Sequence, residues 1–230
     1  MKNNKVATLS VIVPLVVCFT FPLFGDKFVD RVEESTSVYK ALIKAKDGGV
    51  PASLLEKCQC VVVIPHVIKA AFGFGGRHGN GIASCKGEKG NWSPLSFVKL
   101  SGGSFGFQIG AQSSDMVLFL MTDKSIQGLM GNKFTLGADA SVAAGPVGRS
   151  VEADTDITFR AEIYSYARSK GLFAGISLEG ASLRADNTAI KKFYGQEVDP
   201  KAILIDHKVP NTPYVAREFT KALPSGTECR

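Results

Sequence analysis

Hydrophobic residues recur at helical spacing over the segment that runs from Phe28 to Lys46. The stripe consists of Phe28, Val32, Ser35, Tyr39, Leu42 and Ile43. It predicts an amphipathic helix that ends at the glycine pair Gly48 and Gly49. Two interpretations of the stripe are open: it packs on its own domain, or it reaches a membrane surface.

The pattern changes to alternation after Cys60, where bulky and small residues take turns along the chain. Phe105 to Ala111 and Phe134 to Val142 alternate in this way, and Met116 to Met121 is an unbroken apolar run typical of a central strand covered on both sides. The predicted strands also include Cys60–Ile64, ended by Pro65, and a hairpin of 158–169 and 172–183 that turns at Lys170 and Gly171. The remaining predicted helices are 52–57, 123–130, 199–206 and 212–223.

These elements predict an α+β fold. A strongly curved, mainly antiparallel sheet dominates this fold, and a barrel-like closure of the sheet is open. Helices are expected at the N-terminal and C-terminal ends. The 24 glycines fit a sheet whose strands bend or approach each other closely. We therefore expect structural roles for Gly102, Gly103, Gly137, Gly175 and Asp139. The predicted organisation is a targeting segment over 1–25, a domain over 26–196 and a helical extension over 197–230.

The first 25 residues have the composition of a targeting segment. Lys2 and Lys5 precede an uncharged run from Val6 to Gly25, with no acidic residue. Cleavage near Gly25 is favoured, and an uncleaved anchor or acylation of Cys18 are alternatives, although Val17 is bulky for a lipoprotein signal. The segment predicts an exported protein of the periplasm or cell envelope.

The net charge of +6 falls to +4 when Lys2 and Lys5 are removed with this segment. This modest excess suits an anionic surface, whereas the aromatic residues are not interleaved with a basic stripe as in nucleic-acid binding. Four cysteines remain, and their pairing is open, since buried thiols are an equal alternative. They are Cys58, Cys60, Cys85 and Cys229.

The sequence lacks the signals of nucleotide binding, metal binding and catalysis. The glycine cluster from Gly73 to Gly81 leads into a strand rather than a helix, so a hairpin with Arg77 and His78 near its tip is expected. The three histidines lie far apart and have no neighbouring ligand residues at metal-binding spacing. We expect neither an enzyme nor a cofactor.

Several segments in order resemble the signature of the SYLF family between about Ser35 and Gly195. They are Val62-Val63-Ile64-Pro65, Phe74-Gly75-Gly76, Trp92-Ser93-Pro94, Gln108-Ile109-Gly110-Ala111-Gln112, Leu136-Gly137-Ala138-Asp139-Ala140, Ala144-Gly145-Pro146-Val147-Gly148-Arg149, Ser169-Lys170-Gly171-Leu172-Phe173-Ala174-Gly175 and Phe193-Tyr194-Gly195. The resemblance implies binding of anionic lipids, phosphoinositides in eukaryotic members, and actin association in some fungal members. Exported bacterial members resemble this chain more closely, which implies an anionic phospholipid as the ligand.

The function predicted from these observations is non-catalytic binding of anionic phospholipids at a membrane surface. The apolar candidates are Phe28, Val32 and Tyr39, and the basic candidates are Lys40, Lys44, Lys46, Lys69, Arg77 and Arg149. The alternative is an envelope scaffold or actin-like protein-binding module that uses the sheet edge. Salt separates the two, because charge-driven lipid binding weakens with ionic strength and an apolar protein interface does not.

Overall fold

A computed structural model describes residues 26–45, 49–72, 74–105, 110–131, 134–147, 160–209 and 211–224. The helices are α1 (Asp26–Ile43), α2 (Ala52–Lys57), α3 (Asp123–Met130), α4 (Asn187–Tyr194), α5 (Pro200–Leu204) and α6 (Tyr214–Ala222). The strands are β1 (Cys60–Phe72), β2 (Phe74–Cys85), β3 (Ser96–Phe105), β4 (Gly110–Leu120), β5 (Phe134–Thr135), β6 (Val142–Ala144), β7 (Ile163–Ser169), β8 (Leu172–Gly175) and β9 (Ala181–Ala185).

The described strands form one curled sheet in the order β5-β9-β3-β2-β1-β4-β7-β6, with β8 paired to β7. Neighbouring strands are antiparallel except β6 and β7, which are parallel. The predicted α+β fold, with a curved and mainly antiparallel sheet and helices at both ends, is confirmed.

The core lies on both faces of this sheet. Val117 and Phe119 of β4 belong to one buried cluster, whereas Leu118 and Leu120 belong to a second cluster on the opposite face. The prediction that 116–121 is a central strand covered on both sides is therefore confirmed for Met116–Leu120, which are buried throughout.

Helix α1 packs against the first of these clusters. Val32, Tyr39 and Leu42 are at most 1% exposed, and the ring of Tyr39 lies 6.0 Å from the ring of Phe219 in α6. Of the two interpretations of the apolar stripe, the structure shows the packed one. The predicted extension over 197–230 supplies α5 and α6 to the same core, and its boundary at 196 stays a prediction.

Strand β1 does not end at Pro65, as the sequence had indicated, but continues to Phe72 through a β-bulge. Ile64 pairs with Met116 and Val67 with Ser114, so Pro65 and His66 together stand opposite Asp115. His66 has a positive φ of 49° and donates its backbone N–H to the Asp115 carboxylate over 3.0 Å. Proline is tolerated inside this strand because a bulge leaves one residue out of the hydrogen-bond ladder.

Two other strand predictions are wrong in extent. The alternating segment from Phe134 to Val142 forms only β5 and the start of β6, separated by a turn in which Thr135 N–H is held by the Asp139 carboxylate at 2.6 Å. The strand predicted over 172–183 breaks after Gly175, and β9 pairs with β3 instead. The hairpin turn at Lys170 and Gly171 is present, and both residues have positive φ.

The glycines predicted to be structural fall into two groups. A Cβ on Gly175 would lie 2.1 Å from the Gly145 carbonyl oxygen, and one on Gly102 would lie 2.9 Å from the Ala181 Cα, so both allow close approach of backbone. Gly137 has a positive φ of 88°. The prediction is wrong for Gly103, since a Cβ there meets no atom within 4 Å.

Candidate functional site

Beyond the bulge, the four central strands extend past the core. We call this part the distal sheet: residues 67–72 of β1, 74–78 of β2, 101–105 of β3 and 110–114 of β4. We call the remainder of these four strands the basal sheet. Along β4, Gly110 to Ser113 are exposed and Ser114 is half-buried, and every residue from Asp115 to Leu120 is buried.

Small and apolar residues dominate the distal sheet. Ile68 is 54% exposed, and Ala70, Gly76, Gly103 and Ala111 are exposed around it. The backbone register also puts Phe72 opposite Phe74, and Phe74 opposite Phe105, at the far end of the strands. An exposed sheet of this kind is typical of a binding surface rather than of a solvated one.

The two faces of the distal sheet differ in charge. The face that continues the α1 side carries Ile68 and its neighbours, opposite Ser113 and His78 in register. The other face carries Lys69 and Arg77, which stand directly opposite each other, with Gln112 on the next strand. Lys69 is exposed and Arg77 is half-buried.

Helix α1 begins beside the distal sheet and runs back toward the start of β1. Its first turns share a shallow pocket of about 290 Å³ with the bulge and the distal sheet. The pocket is lined by Lys27, Asp30, Arg31, Glu34, Pro65, His66, Ile68, His78, Gly79 and Asn80.

A charged cluster separates the two parts of the sheet. Asp115, 8% exposed, accepts hydrogen bonds from the Arg168 guanidinium at 2.6 and 2.8 Å. The His66 ring lies 3.8 Å from Asp115 and 3.7 Å from Glu34 of α1. Both Arg168 nitrogens bind Oδ2, and Oδ1 accepts the His66 N–H, so the Asp115 carboxylate holds the bulge, β4 and β7 together.

The predicted lipid-binding residues do not lie together. Val32 and Tyr39 are buried in the core and Phe28 packs on Phe97 with ring centres 5.5 Å apart, so a membrane reaches them only if α1 detaches. Lys40 and Lys44 are exposed near the C-terminal end of α1, away from Lys69 and Arg77. Lys46 and Arg149 lie outside the described residues. The binding roles of all nine stay predictions.

Cys60 and Cys85 form a disulfide between directly opposite positions of β1 and β2. Cys58 is a free, buried thiol, and burial raises its pKa to about 11. A thiol with so high a pKa is protonated and poorly nucleophilic at neutral pH. Cys229 lies outside the described residues.

The other large cleft of the described residues measures about 710 Å³ and is lined by parts of β9, α4 and α5. It mixes Arg184 and Lys191 with Glu197 and Asp199, and Lys191 and Glu197 are already paired at 2.7 Å. Within the described ranges no group of three or more potential metal ligands occurs. None of the helices described there has both the length and the apolar character required to cross a bilayer.

Sequence reasoning missed the bare edge of β4 from Gly110 to Ser114. β1 pairs with all five residues on one side, and in the described residues β7 pairs only with Asp115 to Leu120 on the other. The signal that could have revealed it is the abrupt change within β4 from small and polar residues to an apolar run.

A family model described as Ysc84, Las17-binding protein actin regulator, matches residues 101–225. SH3 domain-containing YSC84-like protein 1 of Xenopus laevis is 38% identical over 183 residues, which are 79% of this chain and 54% of the relative. The Homo sapiens protein of the same name is 35% identical over 183 residues, 79% of this chain and 53% of the relative.

LAS seventeen-binding protein 3 of Saccharomyces cerevisiae is 35% identical over 161 residues, 69% of this chain and 35% of the relative. The chain thus spans about half the length of the vertebrate relatives and about a third of the yeast one. These relatives are eukaryotic, and the bacterial assignment made from sequence stays a prediction.

Proposed function

Because the chain belongs to the Ysc84 family, the SYLF family of the sequence resemblance, we propose that its domain is a non-catalytic module that binds another protein. The family description names actin regulation, so the actin filament is the partner that we propose. The observation that carries the proposal is the distal sheet, an exposed part of the fold rich in small and apolar residues.

Cosedimentation with actin filaments tests the proposal. Ile68→Glu puts a charge on the apolar face of the distal sheet, and we expect it to reduce filament binding at least tenfold, about 1.4 kcal/mol. Ile205→Glu is the matched control, because Ile205 is a similarly exposed isoleucine (44%) outside the distal sheet. Binding by the wild-type chain should change little between low salt and about 0.5 M salt, as for an apolar interface. Absence of filament binding, or equal loss in both variants, would overturn the proposal.

A second candidate is the anionic membrane predicted from the sequence. It is favoured by the opposed pair Lys69 and Arg77 and by the start of α1 at the distal end. Each basic group near an anionic surface contributes about 1 kcal/mol.

Vesicle cosedimentation of residues 26–230, which contain both core clusters, tests this candidate with phosphatidylglycerol and with neutral phosphatidylcholine. We expect Lys69→Glu with Arg77→Glu to weaken binding to the anionic vesicles about thirtyfold or more. Lys89→Glu with Lys192→Glu, at two exposed lysines outside the candidate set, is the matched control. Equal binding to both vesicle types, or equal effects of the two double variants, would reject the electrostatic mechanism at the distal sheet.

With the membrane candidate, and as an alternative to actin binding in the cytosol, we propose that the chain is exported to the periplasm or cell envelope. The acid-free segment before Asp26 supports this location, as does the disulfide between Cys60 and Cys85, because disulfides persist in oxidising compartments. The intact mass of the protein extracted from the envelope tests it. A full-length, reduced product in the cytosol would contradict it.

A further inference from the structure

Among the described residues, the edge of β4 from Gly110 to Ser114 has no strand paired to it on the side away from β1. On the β1 side, the Leu120 carbonyl accepts from the Gln59 N–H at 2.8 Å, and on the β7 side the Met121 N–H donates to the Glu162 carbonyl at 2.9 Å. Backbone groups of successive residues in a strand point to opposite sides. The N–H and C=O groups of Ala111 and Ser113 therefore point away from β1, toward the side that β7 leaves at Arg168.

This edge carries none of the features that protect exposed strands from pairing. The sequence Gly110-Ala111-Gln112-Ser113-Ser114 has no charge and no proline, and the bulge lies in β1 rather than in β4. Natural edge strands are usually guarded by such features, since an unguarded edge is a template for another strand. β7 ends at Ser169 and turns at Lys170 and Gly171, so it does not extend alongside the distal end of β4.

The side chains beside the edge indicate what the added strand contains. Its residues on the α1 side would lie next to Ala111 and Ser113, with exposed Ile68 and Ala70 on the adjoining strand. Its residues on the other side would lie next to Gln112, with Lys69 on β1 and Arg77 on β2 behind it. The first environment is apolar at Ile68 and Ala70 and is bounded toward the basal sheet by the Asp115–Arg168 pair, whereas the second is cationic.

We propose that the β4 edge from Gly110 to Ser114 binds an extended segment of a partner protein, in which apolar and acidic residues alternate, as an additional strand of the sheet. Main-chain hydrogen bonds to Ala111 and Ser113 give the affinity, and the two faces give the specificity. The inference rests on the proposed protein-binding function and names the form that the partner takes at the distal sheet.

The test uses the full chain and synthetic eight-residue peptides in a fluorescence anisotropy titration. An alternating valine-glutamate peptide should bind at least tenfold more tightly than a peptide with the same residues in two blocks. Ser113→Pro removes an edge N–H and should weaken binding at least tenfold, whereas Ser113→Ala keeps the N–H and should bind like the wild type. Lys69→Glu should reverse the preference toward an alternating valine-lysine peptide.

Amide hydrogen exchange covers the case in which Ser113→Pro fails to fold. In the wild type the amides of Ala111 and Ser113 should exchange rapidly and slow at least tenfold when the alternating peptide is added. Equal affinity for the two peptide arrangements, equal binding by the proline and alanine variants, or protection of both amides without peptide would overturn the inference. The peptide test contains no actin, so its result is independent of the filament test. If the chain binds filaments but not the alternating peptide, the strand addition is rejected and the proposed function stands.

Discussion

The basal and distal sheets are built from the same four strands, yet helices cover the basal sheet on both faces, whereas in the distal sheet Val67 still lies in the core and Ser101 and Gly102 pair with β9. In β4 the difference appears between Ser114 and Asp115, where small and polar residues give way to an apolar run. Hydrophobic side chains on both faces recruit α1 and α6 on one side and α3 on the other, and each buried side chain contributes about 1.5 to 3 kcal/mol. The four strands therefore continue beyond the last residues whose apolar side chains pack against helices on both faces.

The largest expected difference between the two regions is the loss of stability when a large side chain is truncated, because only in the basal sheet does the truncation leave a cavity. Phe119→Ala removes a fully buried ring that packs at 5.7 Å from the ring of Tyr166, and we expect a loss of about 3 to 5 kcal/mol in the free energy of unfolding. Ile68→Ala in the distal sheet should cost about 0.5 kcal/mol or less. Urea denaturation measures both, and comparable losses would contradict the division into basal and distal parts.

A smaller difference is expected for added volume at two glycines. A Cβ on Gly81, in the basal sheet, would lie 2.1 Å from the Val63 carbonyl oxygen, whereas one on Gly103, in the distal sheet, meets nothing within 4 Å. Gly81→Ala should therefore cost about 1 to 3 kcal/mol, as overpacking does, and Gly103→Ala should stay within about 0.5 kcal/mol. Equal midpoints of thermal unfolding for the two variants would show that the basal strands tolerate separation.

The smallest expected effect is a loss of folding stability at alkaline pH, caused by titratable groups buried in the core. Burial raises the pKa of Cys58 to about 11, and it also raises the pKa of Tyr39 and of Tyr166. The unfolded chain loses these protons first, so stability is constant below about pH 8.5 and falls as pH rises toward 11.

For Cys58 the loss at pH 10 is on the order of 1 kcal/mol. Urea denaturation of the oxidised protein at pH 8 and pH 10 measures it, and Cys58→Ala should recover that part of the loss. A flat stability profile would show that Cys58 and the two tyrosines are solvated.

The sequence predicted the elements whose patterns are local. The helical stripe of α1 and the apolar run of β4 were recognisable because periodicity reports which faces are buried. The turn at Lys170 and Gly171 was recognisable because its positive φ favours glycine. The order of these helical and strand patterns along the chain predicted the fold class, and the family resemblance added the expected function.

Features that depend on distant partners were not predictable. Pro65 looked like the end of a strand because the bulge that accommodates it depends on Asp115, 50 residues away in sequence. The amphipathic stripe of α1 had two possible partners, and only the fold shows that Val32 and Tyr39 face the sheet. From the sequence, Lys40 and Lys69 were assigned to one basic surface. They lie apart because α1 runs away from the distal sheet, a direction that neither segment alone determines.

The bulge at Pro65 and His66 also has an evolutionary consequence. Before it, Val61 and Val63 face the α1 side of the sheet, and after it Ile68 does, so the extra residue reverses which positions of β1 face that side. Loss of one of the two bulge residues would leave a single residue opposite Asp115, and Ile68 would still pair with Ser113 and Lys69 with Gln112. Descendants of this gene could thus lose the bulge through one short deletion and keep the two faces of the distal sheet as they are.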